Sequence, residues 1–196
     1  MKKNFVISVL MTIATTVLLG IIYPLIVTGL AQVLFPHKAN GRLIQKDGKI
    51  VGSSMIGQGF SGASYFHSRP SAAGNGYDAA NSAGSNLGPT NQKLIDRVKG
   101  DVATAQADSP GRPVPIDLVT TSASGFDPHI TPASADFQLQ RIAKERGTTP
   151  DQLRALVEKH TEGRQLGILG EPRVNVLELN LELDERFPTK KQAKLD

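Results

Sequence analysis

Cysteine is absent from the 196 residues, which excludes disulfide scaffolds, thiolate metal sites and cysteine nucleophiles and leaves either redox compartment open. Tryptophan is absent as well, and aromatic residues reach only 5%. With a net charge of +4, the chain lacks the basic stripe and stacking rings of a nucleic-acid reader. Charge is also missing from one end. Lys2 and Lys3 are the only charged residues before position 37, and none occurs from Phe5 to Phe35. That distribution rules out an ordinary soluble core for the first 36 positions. The remainder is long enough to bury roughly two-thirds of its unfolded surface.

The uncharged run exceeds the ~20 residues that a helix needs to cross a bilayer. A secretory signal would have an apolar stretch of about 7–15 residues before a small-residue cleavage site. Gly29-Leu30-Ala31-Gln32-Val33 fits such a site poorly, so the run reads as an uncleaved transmembrane anchor. Gly20, Tyr23, Pro24 and Gly29 interrupt its second half; Pro24 removes a backbone donor, a defect that membranes tolerate where neighbours repair it. Thr12, Thr15 and Thr16 either bond to their own helix or form a close-packing face for a partner helix, and we favour the partner. Lys2 and Lys3 favour a cytoplasmic N-terminus, whereas Lys38, Arg42, Lys46 and Lys49 oppose it from the other flank.

The rest reads as a mixed α+β domain over residues 37–188, with a basic tail at 189–196. Arg42–Gln45 and Lys49–Val51 flank Asp47-Gly48, a favoured hairpin turn, within a strand pair over 42–56. A Gly/Ser/Asn/Ala-rich stretch follows over 57–90, and loops that long are functional or disordered. Its interspersed Tyr, Phe and Arg argue for order. Residues 91–106 carry Leu94, Ile95, Val98 and Val102 at helix spacing, and Val114–Thr121 reads as a short strand. Thr131 caps a second helix with Pro132 at its first position and Gly147 at its end; Ala135, Leu139 and Ile142 form its inward stripe. Thr149 and Gln152 form a capping box at the start of a third helix, with Leu153, Leu156 and Val157 inward. Residues 163–172 are a turn-rich link carrying Gly167 and Gly170. In Val174–Leu183, Leu177, Leu179, Leu181 and Leu183 alternate with Glu178, Asn180 and Glu182, the period-two pattern of a half-buried strand. No internal repeat is present.

Two motifs suggest chemistry and each has a structural explanation. Gly57-Gln58-Gly59-Phe60-Ser61-Gly62 has dinucleotide-binding spacing, but no helix pattern opens there, so it reads as turn chemistry. Ser122, Ser124, Asp127 and His129 lie within one short loop, which rarely aims all members of a hydrolase triad; a structured turn is the better reading. A tethered hydrolase would need Ser124 with His67 or His160. The four histidines lack metal-ligand spacing.

Several phrases nevertheless run in order along nearly the whole chain: Ile21-Ile22-Tyr23-Pro24-Leu25, Tyr65-Phe66-His67-Ser68-Arg69-Pro70-Ser71-Ala72, Gly84-Ser85-Asn86-Leu87, Ser122-Ala123-Ser124-Gly125 and Val174–Leu181. Together they resemble the KdpC family, the C subunits of bacterial Kdp potassium-transporting ATPases. The resemblance implies a non-catalytic, single-pass subunit of the cytoplasmic (inner) membrane, N-terminus inside and domain on the outer, periplasmic or extracellular face. Its implied partners are a potassium-channel-like subunit, a P-type ATP-hydrolysing subunit and a very small membrane peptide. Potassium would be the transported ion, with no firmly bound cofactor of the chain's own. The family is also described as a catalytic chaperone that raises the pump subunit's affinity for ATP. A glutamine in a segment likened to the ATP-binding-cassette signature is tied to that role, and Gln152 occupies the matching position, with Thr-Pro-Asp before it.

An external domain cannot touch cytosolic ATP, so any effect on ATP would pass through the membrane as a coupling free energy of ~1–3 kcal/mol. The backbone-rich 57–91 loop is the expected partner or ion-entry surface, with Tyr65, Phe66, Arg69, Pro70, Ser85 and Asn86 as its candidate contacts. A membrane-tethered periplasmic binding or sensing module is the alternative; it requires a pocket in the soluble domain.

Overall fold

The computed structural model describes residues 1–189; positions 190–196 of the expected basic tail lie outside the described residues. The chain divides into two compact units, Met1–Ser53 and the remainder from Ser54 onward. In the first, α1 (Lys2–Thr15), a π-helical segment (Thr16–Ile22) and α2 (Tyr23–Leu34) form one continuous helix, long and apolar enough to cross a membrane. Its length is roughly 50 Å at 1.5 Å per residue, more than the ~30 Å hydrocarbon core. The π segment has a local cause. Pro24 has no N–H and its ring presses on the carbonyl four residues earlier, so the helix widens just upstream. The Tyr23 N–H accordingly reaches the carbonyl of Leu18, five residues back. Thr15 donates to the Met11 carbonyl at 2.8 Å, within its own helix.

After a single turn, α3 (Pro36–Ala39), strands β1 (Leu43–Lys46) and β2 (Lys49–Ser53) pair antiparallel with Lys46 opposite Lys49. Asp47 and Gly48 have φ of 52° and 73°, as the expected two-residue turn requires.

The second unit is built from α4 (Gln92–Asp108), a 3-10 turn (Ile116–Leu118), β3 (His129–Ile130), α5 (Pro132–Arg146), α6 (Pro150–Lys159), β4 (Thr161–Glu162), β5 (Arg173–Asn175) and α7 (Val176–Arg186). The three strands form one antiparallel sheet in the order β3-β5-β4. Helices α5, α6 and α7 supply most of the core through Ala135, Leu139, Ile142, Leu153, Leu156, Val157, Leu179 and Leu183, joined by Ile130 and Val174 from the sheet. The expected inward stripes of α5 and α6 are thus buried. Caps fall where anticipated: Thr131 accepts from Ser134 N, and Gly147 closes α5 at φ 67°.

Two expected strands are not strands. Ile116–Leu118 forms a 3-10 turn, with Ile116 exposed and Asp117 buried. Pro113 and Pro115 remove two ladder donors there. The turn also delivers the Asp117 carboxylate to the start of α5, where it accepts from Thr131 N at 2.7 Å and from the Ser134 hydroxyl. The Val174–Leu183 segment is a strand only through Asn175 and then a helix. Asn175 caps that helix by accepting from Glu178 N, and its amide also donates to the Ser54 carbonyl at 2.7 Å. Val176, Leu179, Asn180 and Leu183 form the buried helical face. Leucine and glutamate favour helix over strand, and no β-branched residue follows Val176 within the element.

Candidate functional site

Residues 54–91 contain neither helix nor strand before Asn91 caps α4. A segment of that length must satisfy its backbone polar groups by other means. Two buried side-chain amides supply them. Asn180, on α7, accepts from Phe66 N and donates to Phe66 O, both at 2.9 Å. Gln138, on α5, accepts from His67 N at 2.8 Å and donates to His67 O at 3.2 Å. A carboxamide carries one donor face and one acceptor face, so each amide replaces the neighbouring strand that the loop lacks.

Arg146 adds a third anchor. Its guanidinium, from a side chain with 0% exposure, donates to Asp184 at 2.8 Å, to Ser64 O and Phe187 O at 2.7 Å each, and lies 4.8 Å over the Tyr65 ring. Tyr65 Oη donates to the other Asp184 oxygen at 3.1 Å.

Further along, Arg69 donates to Asp127 at 3.0 Å and to Thr120 O at 3.3 Å. Burial alone would raise the Asp127 carboxyl, but hydrogen bonds from His129 and Arg69 outweigh it and hold the group below its ordinary range. Ser71 donates to Gly125 O at 2.8 Å, and Ser82 donates to Ser124 O at 2.9 Å. Both limbs of the loop therefore rest on the 120–127 segment. The crossing is tight enough to require glycine. A β-carbon on Gly125, whose φ is 75°, would stand 2.7 Å from Ala73 Cβ and from Ala83 O.

These contacts assign the suspected motifs to architecture. Ser122 Oγ accepts from Gly125 N, Ser124 Oγ accepts from Phe126 N, and Asp127 accepts from His129 N: a series of turn bonds. His67 contacts Gly62 O and His160 contacts Glu182, so the hydrolase arrangement around Ser124 is not assembled. No helix begins at the 57–62 glycine run; a β-carbon on Gly57 would stand 2.6 Å from Asp127 O.

Of the expected partner contacts, Phe66 is corrected outright: it is fully buried in the core, seated there by Asn180, and presents no side chain outward. Tyr65, Arg69, Pro70 and Ser85 are half-buried, while Asn86 is exposed at φ 51°. The sequence reading missed Gln138, Asn180, Arg146 and Asp117 as organisers. A signal existed for the first two, since each is a polar residue inside an otherwise apolar helical stripe.

Between the loop, α4 and α5 lies a cavity of about 460 Å³, within the usual range for ligand sites. Its lining includes His67, Arg69, Arg141, Asp101 and Asp108. Burial, with the nearby Arg141 charge, lowers the His67 pKa and favours its neutral form. Arg141 is held by Tyr65 O at 3.1 Å, Gln138 at 2.8 Å and Asp108 at 3.3 Å.

Gln152 lies apart from this loop, exposed in the first turn of α6. The capping box is complete: Thr149 Oγ1 accepts from Gln152 N, and Gln152 Oε1 accepts from Thr149 N, both at 3.3 Å. The Thr148 hydroxyl donates to the same Oε1 at 2.6 Å. Gln152→Ala is expected to lower stability by at most ~1 kcal/mol, and Gln152→Glu to be nearly neutral, since glutamate also serves there and suits a helix N-terminus. Urea unfolding of the three chains checks this.

A family model described as KdpC, K+-transporting ATPase, c chain, matches residues 5–185. A protein of Koribacter versatilis named potassium-transporting ATPase KdpC subunit is 66% identical over 188 residues, covering 96% of this chain and 97% of the relative. One of the same name from Rhodospirillum rubrum is 58% identical over 177 residues, covering 89% of this chain and 92% of the relative. A third, from Methylorubrum extorquens, is 55% identical over 188 residues, with 90% and 94% covered.

Proposed function

Since the chain belongs to the KdpC family, the c chains of K+-transporting ATPases, we propose that it is the non-catalytic accessory subunit of an ATP-driven potassium uptake complex. It assembles with a channel-like subunit, a P-type ATP-hydrolysing subunit and a small membrane peptide, and helps hold them together. The observation that carries this reading is the way the 54–91 segment is secured: Asn180, Gln138, Arg146 and Arg69 hold it as a fixed surface, the preorganisation that docking rewards.

The Lys2–Leu34 helix anchors it once in the cytoplasmic membrane, N-terminus inside and domain outside. Long domains translocate largely regardless of flanking charge, so Lys38, Arg42, Lys46 and Lys49 do not forbid that topology. Protease added to intact spheroplasts should digest the domain; protection until the inner membrane is lysed would overturn the orientation.

The subunit raises the pump subunit's ATP affinity through assembly, not by contact between Gln152 and nucleotide. The Gln152 amide oxygen already accepts from Thr148 and Thr149. In the assembled complex, Gln152→Ala and Gln152→Glu should leave the ATP concentration for half-maximal hydrolysis unchanged. A several-fold rise with unaltered unfolding would place the ATP-linked role at this residue. The cavity beside His67 and Arg141 favours a second reading, a tethered binding module acting alone. Purification from native membrane in mild detergent separates the two, because the module would emerge without the other pump subunits.

A further inference from the structure

Among the described residues of the second unit, the link over 163–172 is the most exposed apolar feature, and its backbone is hydrogen-bonded. Gln165 and Leu169 exchange both backbone hydrogen bonds, at 2.8 and 2.9 Å. Ile168 N donates to Gln165 O across a turn whose central residues, Leu166 and Gly167, have φ of 54° and 77°. That is a tight hairpin tip, and it carries Leu166 at 88%, Ile168 at 76% and Leu169 at 55% exposure. Glycine or asparagine normally fills the first positive-φ position of such a turn; a bulky leucine is an outlier. The link has glycine at 163, 167 and 170, yet it has leucine at the strained and most exposed position. Strained backbone of this kind clusters at functional sites.

We propose that this hairpin is a docking knob whose Leu166 and Ile168 insert into an apolar recess on another protein subunit of the pump. The inference rests on the assembly reading above. Charge decides between a protein recess and a lipid surface. Arg164 pairs with Glu171 at 2.6 Å, and Arg173 pairs with Glu162 at 2.9 Å, so the hairpin's charges neutralise one another within the chain. A membrane-surface loop would instead display unpaired Lys or Arg towards anionic headgroups and Trp or Phe in the interface. A neutral, rigid tip with two aliphatic side chains matches a preformed apolar pocket with a polar rim.

The test uses the full chain in the intact complex. Leu166→Asn relieves the backbone, because asparagine tolerates positive φ, while removing the knob. The expected result is an unfolding temperature equal to or above that of the unaltered chain, with at least a tenfold loss of chain retained in the complex after detergent extraction. Unchanged retention, or a loss matched by lowered unfolding temperature, overturns the proposal. In parallel, p-benzoylphenylalanine at position 168, irradiated in membranes, should yield an adduct with another pump subunit. An adduct with lipid alone, with a second copy of this chain, or with nothing overturns it. If the unaltered chain fails to copurify with other pump subunits, the assembly reading falls and this proposal falls with it; if only the variant tests fail, the assembly reading stands.

Discussion

Asn180→Leu is expected to lower the unfolding free energy by about 2–6 kcal/mol, from two buried backbone groups left unpaired at ~1–3 kcal/mol each. Asn180 is 2% exposed, and its amide is the hydrogen-bond partner of both Phe66 N and Phe66 O. Leucine has the same branched side-chain shape but is the bulkier residue, so overpacking around Leu179 and Leu183 adds to the loss of the two polar contacts. Asn180→Asp keeps an acceptor for Phe66 N–H but removes the donor to Phe66 O, and it adds a charge that burial disfavours. Urea unfolding of the chain in mild detergent is the measurement. A loss under ~1 kcal/mol would show that solvent replaces the amide and that the loop is not seated by it. If the loop is the partner surface, the Leu variant should also assemble poorly even at temperatures where α5 and α6 remain folded.

Arg146→Met is expected to lower stability by roughly 3–5 kcal/mol, the range for removing one member of a buried ion pair. The Asp184 carboxylate, only 19% exposed, would lose its charged partner, and Ser64 O and Phe187 O would lose their donors. Met fills much of the space over the Tyr65 ring, so the deficit is electrostatic rather than a cavity. Arg146→Lys should recover only part of it, because an ammonium on a flexible stem cannot reproduce a planar fork aimed at Asp184, Ser64 O, Leu183 O and Phe187 O together. Equal stability of the Lys variant and the unaltered chain would refute the fork argument. Basic residues in a last helical turn ordinarily complement the helix dipole, and that is all position 146 suggests by itself. Its larger role comes from burial, supplied by α7 and the loop.

Local chemistry alone determined much of this protein. The uncharged run from Phe5 to Phe35, the Asp47-Gly48 turn, the Thr131 and Thr149 caps and the Gly147 stop are legible because the interactions involved span four residues or fewer, or depend on composition alone. The same holds for turn bonds within 122–129, which explain that motif without catalysis. Tertiary structure decided the rest. Val174–Leu183 satisfies both a period of two and a helical face, and the choice falls to helix because the segment packs on α6 and β5 and is capped by an Asn175 that also holds Ser54, 121 positions away. Phe66 looks like a surface aromatic in a polar loop, and it is core because Asn180, 114 positions later, meets both its backbone groups. Leu166 looks like an ordinary apolar residue in a link; its strained φ and exposure exist only in the folded hairpin. Propensities and caps act within a turn of chain and can be read one segment at a time, whereas burial and the pairing of buried polar groups depend on which distant segments meet.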